Sequence, residues 1–305
     1  MKYGVTRDYV MALEVVLADG QILNTGTKCV KDVAGFTLKD LFIGSEGSLG
    51  VITKITLKLI PTPESKRTLL VLFDRMTDAA ETTSAIIREK IIPCTLEFLD
   101  RMTIGCLEDH AQIGLPRDAE AVLLIEVDGH PAQVEEQAER TGRIALDHGA
   151  RGVRHAASEE EGAEMIAARR AAFGALAHLA PTIILEDATV PRSELARMVA
   201  YIQEVAERYQ IRIGTLGHMG DGNLHPTFLV DERKEGEMEH VENAIKEIVE
   251  FAVKLGGTVT GEHGVGLVKK PYLLSMLGPV ALDVMRRVKA SFDPNTILNP
   301  GKILD

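Results

Sequence analysis

Short apolar runs open the chain, and a regular alternation of strand-length and helix-length segments follows. Residues 10–18 are apolar and β-branched towards their end. Asp19-Gly20 and a second extended run at 21–25 come next, so the pattern predicts a β-hairpin about an Asp-Gly turn. Pro61-Thr62-Pro63 then marks a boundary. Beyond it the pattern predicts strands at 68–73, 94–99, 121–127 and 153–156, and helices at 78–89, 102–110 and 132–148. This order approximates a ferredoxin-like α+β layer, an antiparallel sheet with helices on one face. One long helix is predicted over 159–179, a strand at 183–190, and a helix over 193–209 with Pro191 near its first turn. Strands at 211–216 and 223–230 follow. The segment 237–255 carries Val241, Ile245, Ile248, Ala252 and Leu255 at spacings of three and four, one face of a helix. A last helix is expected over 280–291, stopped by Asp293-Pro294.

Two stretches break this pattern: residues 217–225 (Gly-His-Met-Gly-Asp-Gly-Asn-Leu-His) and 261–264 (Gly-Glu-His-Gly). Glycine has no side chain to pack and costs backbone entropy on folding. Segments that use it so heavily are shaped for tight turns or for close approach of a ligand. His218, His225, Glu262 and His263 stand within them. Imidazole and carboxylate donors suit Zn²⁺, Mn²⁺ or Fe²⁺, and three protein ligands leave positions open for a substrate. A single histidine here reads as a core residue beside a hairpin turn. The four together, in polar glycine-rich loops, favour metal or catalytic use.

The chain has 305 residues, enough for two domains, with an ordinary apolar content of 45%. No apolar run is long enough to span a membrane, and no basic-plus-apolar leader opens the sequence. A net charge of −11 and the absence of Trp argue against a nucleic-acid surface. Cys29, Cys94 and Cys106 lack metal-finger spacing, and a sparse odd count fits reduced thiols in the cytoplasm.

Gly44, Gly47 and Gly50 recur every third residue between a short predicted helix and a β-branched strand. No Gly-Lys-Ser/Thr follows them, and by spacing alone a tight structural turn is expected. Yet residues 31–53 resemble the second half of the FAD-binding domain of the vanillyl-alcohol-oxidase (PCMH) type flavoproteins. That group includes glycolate oxidase FAD subunits and the D-lactate and D-2-hydroxyglutarate dehydrogenases. The resemblance runs from residue 3 to the C-terminus, through the His-Gly-Asp-Gly-Asn-His-like and Glu-His-Gly segments and the closing Asn299-Pro300-Gly301-Lys302.

The resemblance implies an α+β fold in three parts. The C-terminal half of a PCMH-type FAD-binding domain would occupy 1–61, a ferredoxin-like substrate (cap) domain 62–290, and a segment returning to the flavin 291–305. It implies FAD contacts from Gly44, Ser45, Glu46, Gly47, Gly50 and Ile52, largely through backbone groups, and from Asn299. It makes His218, His225 and Glu262 ligands of a divalent metal, zinc or manganese, and His263 the base. It makes Arg169 the anchor of a substrate carboxylate; without it, Arg169 reads as part of a solvated helix face beside Glu160, Glu161 and Glu164. The implied reaction is FAD-dependent oxidation of a D-2-hydroxy acid, such as glycolate or D-lactate, to the 2-keto acid. An iron–sulfur or other electron-transfer partner subunit, and peripheral membrane association through it, would go with that reaction. Members of the group carry a further half-domain ahead of the matched region. The expectation is therefore a truncated chain that holds FAD weakly alone, with residues 1–60 less stable than the cap. A metal-dependent hydrolase and a non-catalytic remnant that binds a partner subunit are the alternatives.

Overall fold

The computed structural model describes residues 1–111 and 114–304. The chain divides by contact into two units, Met1–Tyr3 with Pro63–Gly261 and Gly4–Thr62 with Glu262–Asp305.

The smaller unit opens with the hairpin read from the sequence. β1 (Val10–Val16) and β2 (Ile22–Gly26) pair antiparallel, Val16 opposite Ile22, and Gly20 takes the left-handed φ of +83° that the turn requires. A short helix α1 (Lys39–Phe42) precedes β3 (Val51–Leu57), which pairs with the other side of β1 to give the order β2-β1-β3. Val10, Leu13, Val15, Phe42 and Leu49 are buried together as its core.

The larger unit begins with β4 (Ser65–Phe73), α2 (Met76–Arg88), β5 (Thr95–Asp100), α3 (Arg101–Ala111), β6 (Ala121–Gly129), α4 (Pro131–Asp147) and β7 (Ala150–His155). These strands lie in the antiparallel order β7-β4-β6-β5, the ferredoxin-like arrangement expected. Then come α5 (Glu159–Arg170), α6 (Ala172–Leu176), β8 (Thr182–Leu185), β9 (Ala188–Thr189), α7 (Leu195–Tyr209), β10 (Arg212–His218), β11 (Asn223–Val230) and α8 (Glu237–Lys254). β10, β11 and β8 extend the sheet beyond β5, making it eight-stranded among the described residues, with β9 pairing β11. The core lies between this sheet and its helices, with Leu70, Leu99, Leu107, Leu124, Leu176 and Leu216 among its buried members.

The single helix expected over 159–179 is two. The Ala171 N–H bonds to Ala168 O, a tightened turn, and the chain re-aims so that Ala172, Ala175 and Leu176 enter the core. No Gly or Pro marks the break; burial decides it over helix propensity. The last helix, α9 (Leu273–Phe292), begins earlier than expected and is interrupted at Gly278 (φ +76°), just before Pro279. Phe292 packs edge-on against Phe42, ring centroids 5.3 Å apart. Residues 262–290, expected in the cap from the sequence, thus group with 4–62, where this helix finds its apolar partners.

Candidate active site

β5, β10 and β11 run side by side in the larger unit, and their register assembles the polar cluster. Gly217 stands opposite Phe98 on one side and Leu224 on the other; His218 stands opposite Asn223. A Cβ on Gly217 would lie 2.5 Å from Asn223 O, so this glycine serves the close approach of β10 to β11. Gly222 has φ +78°, and a Cβ there would meet Val190 O at 2.1 Å. Gly217 and Gly222 thus answer to the chain's own backbone, while a Cβ on Gly220 would meet the Met1 side chain.

His218 and His225 meet edge to face, ring centroids 5.4 Å apart. His225 is 4% exposed. Its Nδ1 lies 3.3 Å from Glu186 O, while His218 Nδ1 lies 2.8 Å from Glu97 Oε1. Carbonyl and carboxylate oxygens only accept, so both Nδ1 atoms donate, and in the neutral ring the lone pair then stands on Nε2. This is the arrangement common to metal-ligating histidines, whose second nitrogen is held by an oxygen.

Residues 258–261 are fastened to the same unit. Thr258 bridges Thr189, and Val259 is buried. Thr260 Oγ1 and Gly261 N each donate to Asp187 Oδ2 at 2.7 Å. Gly261 passes so close to Asn223 and Thr189 that a Cβ would stand 2.3 Å from Thr189 Oγ1. The next peptide carries Glu262. One ligand atom from each of His218, His225 and Glu262 falls within 4.8 Å of the others. Two ligands bound at about 2.1 Å to one ion stand at most about 4.2 Å apart. A set confined within 4.8 Å is compatible with one shared ion. His263 follows and is exposed.

Arg169, one residue before the end of α5, joins this cluster through Glu97 and is not on a solvated face: its side chain is 14% exposed. Its Nε stands 2.6 Å from Glu97 Oε2, an ion pair without hydrogen-bond alignment. Its Nη2 is buried with no hydrogen-bond partner among the described residues. A buried guanidinium nitrogen without a protein partner has its proton left for an acceptor, water or ligand. Glu97, which contacts both Arg169 and His218, was not singled out from the sequence. It lies in a predicted strand with no motif around it, and only the β5–β10 pairing reveals it.

In the smaller unit, residues 44–50 form a tight, hydrogen-bonded turn. Gly44, Glu46 and Gly47 all take left-handed φ. Ser45 Oγ donates to Phe42 O and Ser48 Oγ to Ser45 O. The Glu46 carboxylate accepts from Val265 N at 2.7 Å and Gly266 N at 2.9 Å, and Asn299 Nδ2 donates to Glu46 O. A Cβ on Gly47 would meet only Asn299 Nδ2, at 3.9 Å, whereas one on Gly50 would strike Val15 Cγ1 at 2.5 Å. The Gly47 surface of the turn is therefore open, while Gly50 is a core contact. Ile52 stands in β3, opposite Val15.

The fold described above is one that known flavoproteins share. Residues 62–303 match the family model for the C-terminal domain of FAD linked oxidases, and the chain belongs to that family. It is 56% identical over 303 residues to the glycolate oxidase subunit GlcD of Bacillus subtilis, covering 99% of this chain and 64% of that protein. It is 39% identical to the Escherichia coli subunit of the same name, covering 99% and 60%. A D-lactate dehydrogenase of Archaeoglobus fulgidus is 36% identical over 305 residues, covering 100% of this chain and 66% of that one. The chain thus spans less than two thirds of these relatives' length. Among solved structures, p-cresol methylhydroxylase with substrate bound shares the fold at a TM-score of 0.75 and 18% identity, over 98% of this chain and 66% of that one. A 4-ethylphenol oxidase from Gulosibacter chungangensis does so at 0.74 and 16%, over 99% and 67%.

Proposed function

We propose that this chain carries the substrate side of an FAD-dependent oxidation of a small D-2-hydroxy acid, such as glycolate or D-lactate, to its 2-keto acid. The observation that carries the reading is the buried Arg169 guanidinium, with an unpartnered Nη2, in the cluster that holds the two Nε2-presenting histidines. A 2-hydroxy acid needs what these groups offer: a cation for its carboxylate and a centre for its hydroxyl oxygen. The family and the relatives' names support the redox assignment.

FAD, when bound, would supply the two-electron acceptor for the α-carbon hydride. The open turn at Gly44, Ser45, Glu46 and Gly47, with Gly50 and Ile52 behind it and Asn299 beside it, fits a cofactor gripped mainly by backbone. A zinc or manganese ion held by His218, His225 and Glu262 would supply positive charge against the substrate oxygens. Arg169 takes the carboxylate, because a planar guanidinium matches it geometrically. His263 takes the hydroxyl proton, since imidazole is the side chain best matched to proton transfer near neutrality. The domain reading goes with this, the larger unit as substrate domain and the smaller as flavin-binding.

The subunit relatives support an electron-accepting partner protein, iron–sulfur or otherwise, through which the assembly would meet a membrane. Among the described residues no helix is long and apolar enough to cross one. The three cysteines are free thiols, in keeping with a cytoplasmic setting. The test is anaerobic addition of glycolate or D-lactate to the FAD-loaded protein. Bleaching of the flavin's visible absorbance supports the reading. No bleaching with either acid, from a preparation that demonstrably holds FAD, overturns it.

A further inference from the structure

One carboxylate serves two functional side chains that lie far apart in sequence. Glu97 Oε1 accepts the proton on His218 Nδ1 at 2.8 Å, and Glu97 Oε2 stands 2.6 Å from Arg169 Nε. Glu97 is itself 12% exposed, so it sits out of water between a guanidinium and an imidazole. A buried carboxylate without a partner is expensive, and here each oxygen faces a different functional group. We propose that Glu97 is the positioning residue of this site. Through one oxygen it fixes the His218 tautomer that presents Nε2, and through the other it holds Arg169 by Nε, leaving Nη2 for the substrate carboxylate.

Three features of the structure support this. First, Glu97 lies on β5, whose neighbours Phe98 and Leu99 pair with Gly217 and Leu216 of β10, so the ladder sets its distance from His218. Second, a carboxylate can only accept; a hydroxyl or amide in its place could equally present a donor to Nδ1 and allow the opposite tautomer. Third, Arg169 is the penultimate residue of α5, and beyond it the chain turns at Ala171, so its helix alone does not fix the fork. Glu97 thereby couples the metal ligand to the carboxylate anchor, and its loss disturbs both.

The inference rests on the metal and substrate roles proposed above, and the experiment separates the two. The full chain is titrated with Zn²⁺ and with Mn²⁺ by calorimetry, as wild type, Glu97→Gln, Glu97→Asp and His225→Ala. The Gln amide has one acceptor for two donors and places an NH₂ against the other. Both Glu97 variants should therefore bind metal about 10–100-fold more weakly, the usual cost of removing such a supporting partner. In the FAD-loaded protein they should also raise KM for the 2-hydroxy acid. Metal held by wild type, lost in His225→Ala and unchanged in folded Glu97→Gln and Glu97→Asp overturns the role of Glu97 and leaves the metal reading standing. No metal uptake by wild type overturns both. Should the variants fail to fold, nitrogen NMR of the wild-type chain decides the matter: His218 must be the Nδ1–H tautomer, and an Nε2–H tautomer refutes the proposal. A merely structural brace would lower thermal stability and leave metal affinity and tautomer where they were.

Discussion

Arg169 and Gly261 illustrate how single positions carry this site. Arg169 enters it by Nε and keeps Nη2 buried without a protein partner. Lysine would keep the charge but could not reach Glu97 and a ligand carboxylate with one planar fork. Arg169→Lys should raise KM for the hydroxy acid by at least about tenfold, equivalent to roughly 1.4 kcal/mol, with a smaller effect on kcat. Steady-state kinetics against glycolate or D-lactate would show it, and an unchanged KM would remove Arg169 from substrate binding. Gly261 passes where a Cβ would sit 2.3 Å from Thr189 Oγ1 and 2.9 Å from Asn223 Nδ2. Gly261→Ala should therefore destabilise the protein by about 1–3 kcal/mol, measured by urea unfolding. It should also weaken metal uptake, because Glu262 is the next residue. The glycine-rich stretches were legible as unusual from sequence, but their cause was not. At Gly217, Gly222 and Gly261 a side chain is excluded by neighbouring protein atoms, by β11 at the first, by Val190 at the second and by Thr189 and Asn223 at the third, and only the fold brings these together.

At the scale of elements, the joint between β5 and α3 depends on Asp100. Its Oδ1 accepts from Thr103 N and Thr103 Oγ1 at the start of α3, and its Oδ2 accepts from Thr215 N of β10 at 2.6 Å. Burial pushes its carboxyl up to about 6, against the pull of those three hydrogen bonds. A carboxyl whose folded pKa lies above its unfolded value binds its proton more tightly in the fold. Its contribution is complete below pH about 4 and is lost as pH rises through about 6, on the order of 3 kcal/mol at most. Other carboxylates work the opposite way: Arg151 beside Asp118 and Arg233 beside Asp231 hold those groups low. The difference between wild type and Asp100→Asn isolates the effect. Relative to the variant, the wild type should lose stability between pH 4 and pH 7 in urea titrations. A difference that does not change with pH would refute the assignment. Most elements were legible from period and punctuation. β11 coincides with the strand expected at 223–230, and α8 ends within a residue of its expected bound. The break between α5 and α6 was not, because no Gly or Pro announces it and only the core's demand for Ala172, Ala175 and Leu176 creates it. Glu97 escaped for a related reason. Its meaning lies in residues more than seventy positions away, brought to it by strand order and by a helix end.

The two units of the molecule differ in how much of their sheets they bury. In the larger one, Val122, Leu123, Leu124 and Ile125 are consecutive on β6 and all buried, so both faces of that strand are covered. β11 is buried along its whole length, Asn223 to Val230. In the smaller one, β1 is the central strand, while Val51, Ile55 and Leu57 of β3 are 53%, 56% and 49% exposed on an edge. Amides open by local fluctuation where few apolar contacts hold them, and only by global unfolding where the strand is buried on both sides. Hydrogen exchange on the intact chain should therefore find the β6 and β11 amides slowest and those of β3 faster by at least about a hundredfold, an opening free energy smaller by roughly 3 kcal/mol. The Glu46 contacts to Val265 and Gly266, and Lys289 donating to Ser48 O and Leu298 O, tie the 44–50 turn to the chain's last segment. Exchange at residues 45–50 should accordingly be slower than along β3. Bound FAD should slow it further, with little change in β6. Equal protection of β3 and β6 would mean that the smaller unit unfolds only with the larger one. The proposed division of labour, a stable substrate domain and a more open flavin-binding one, would then have no energetic basis.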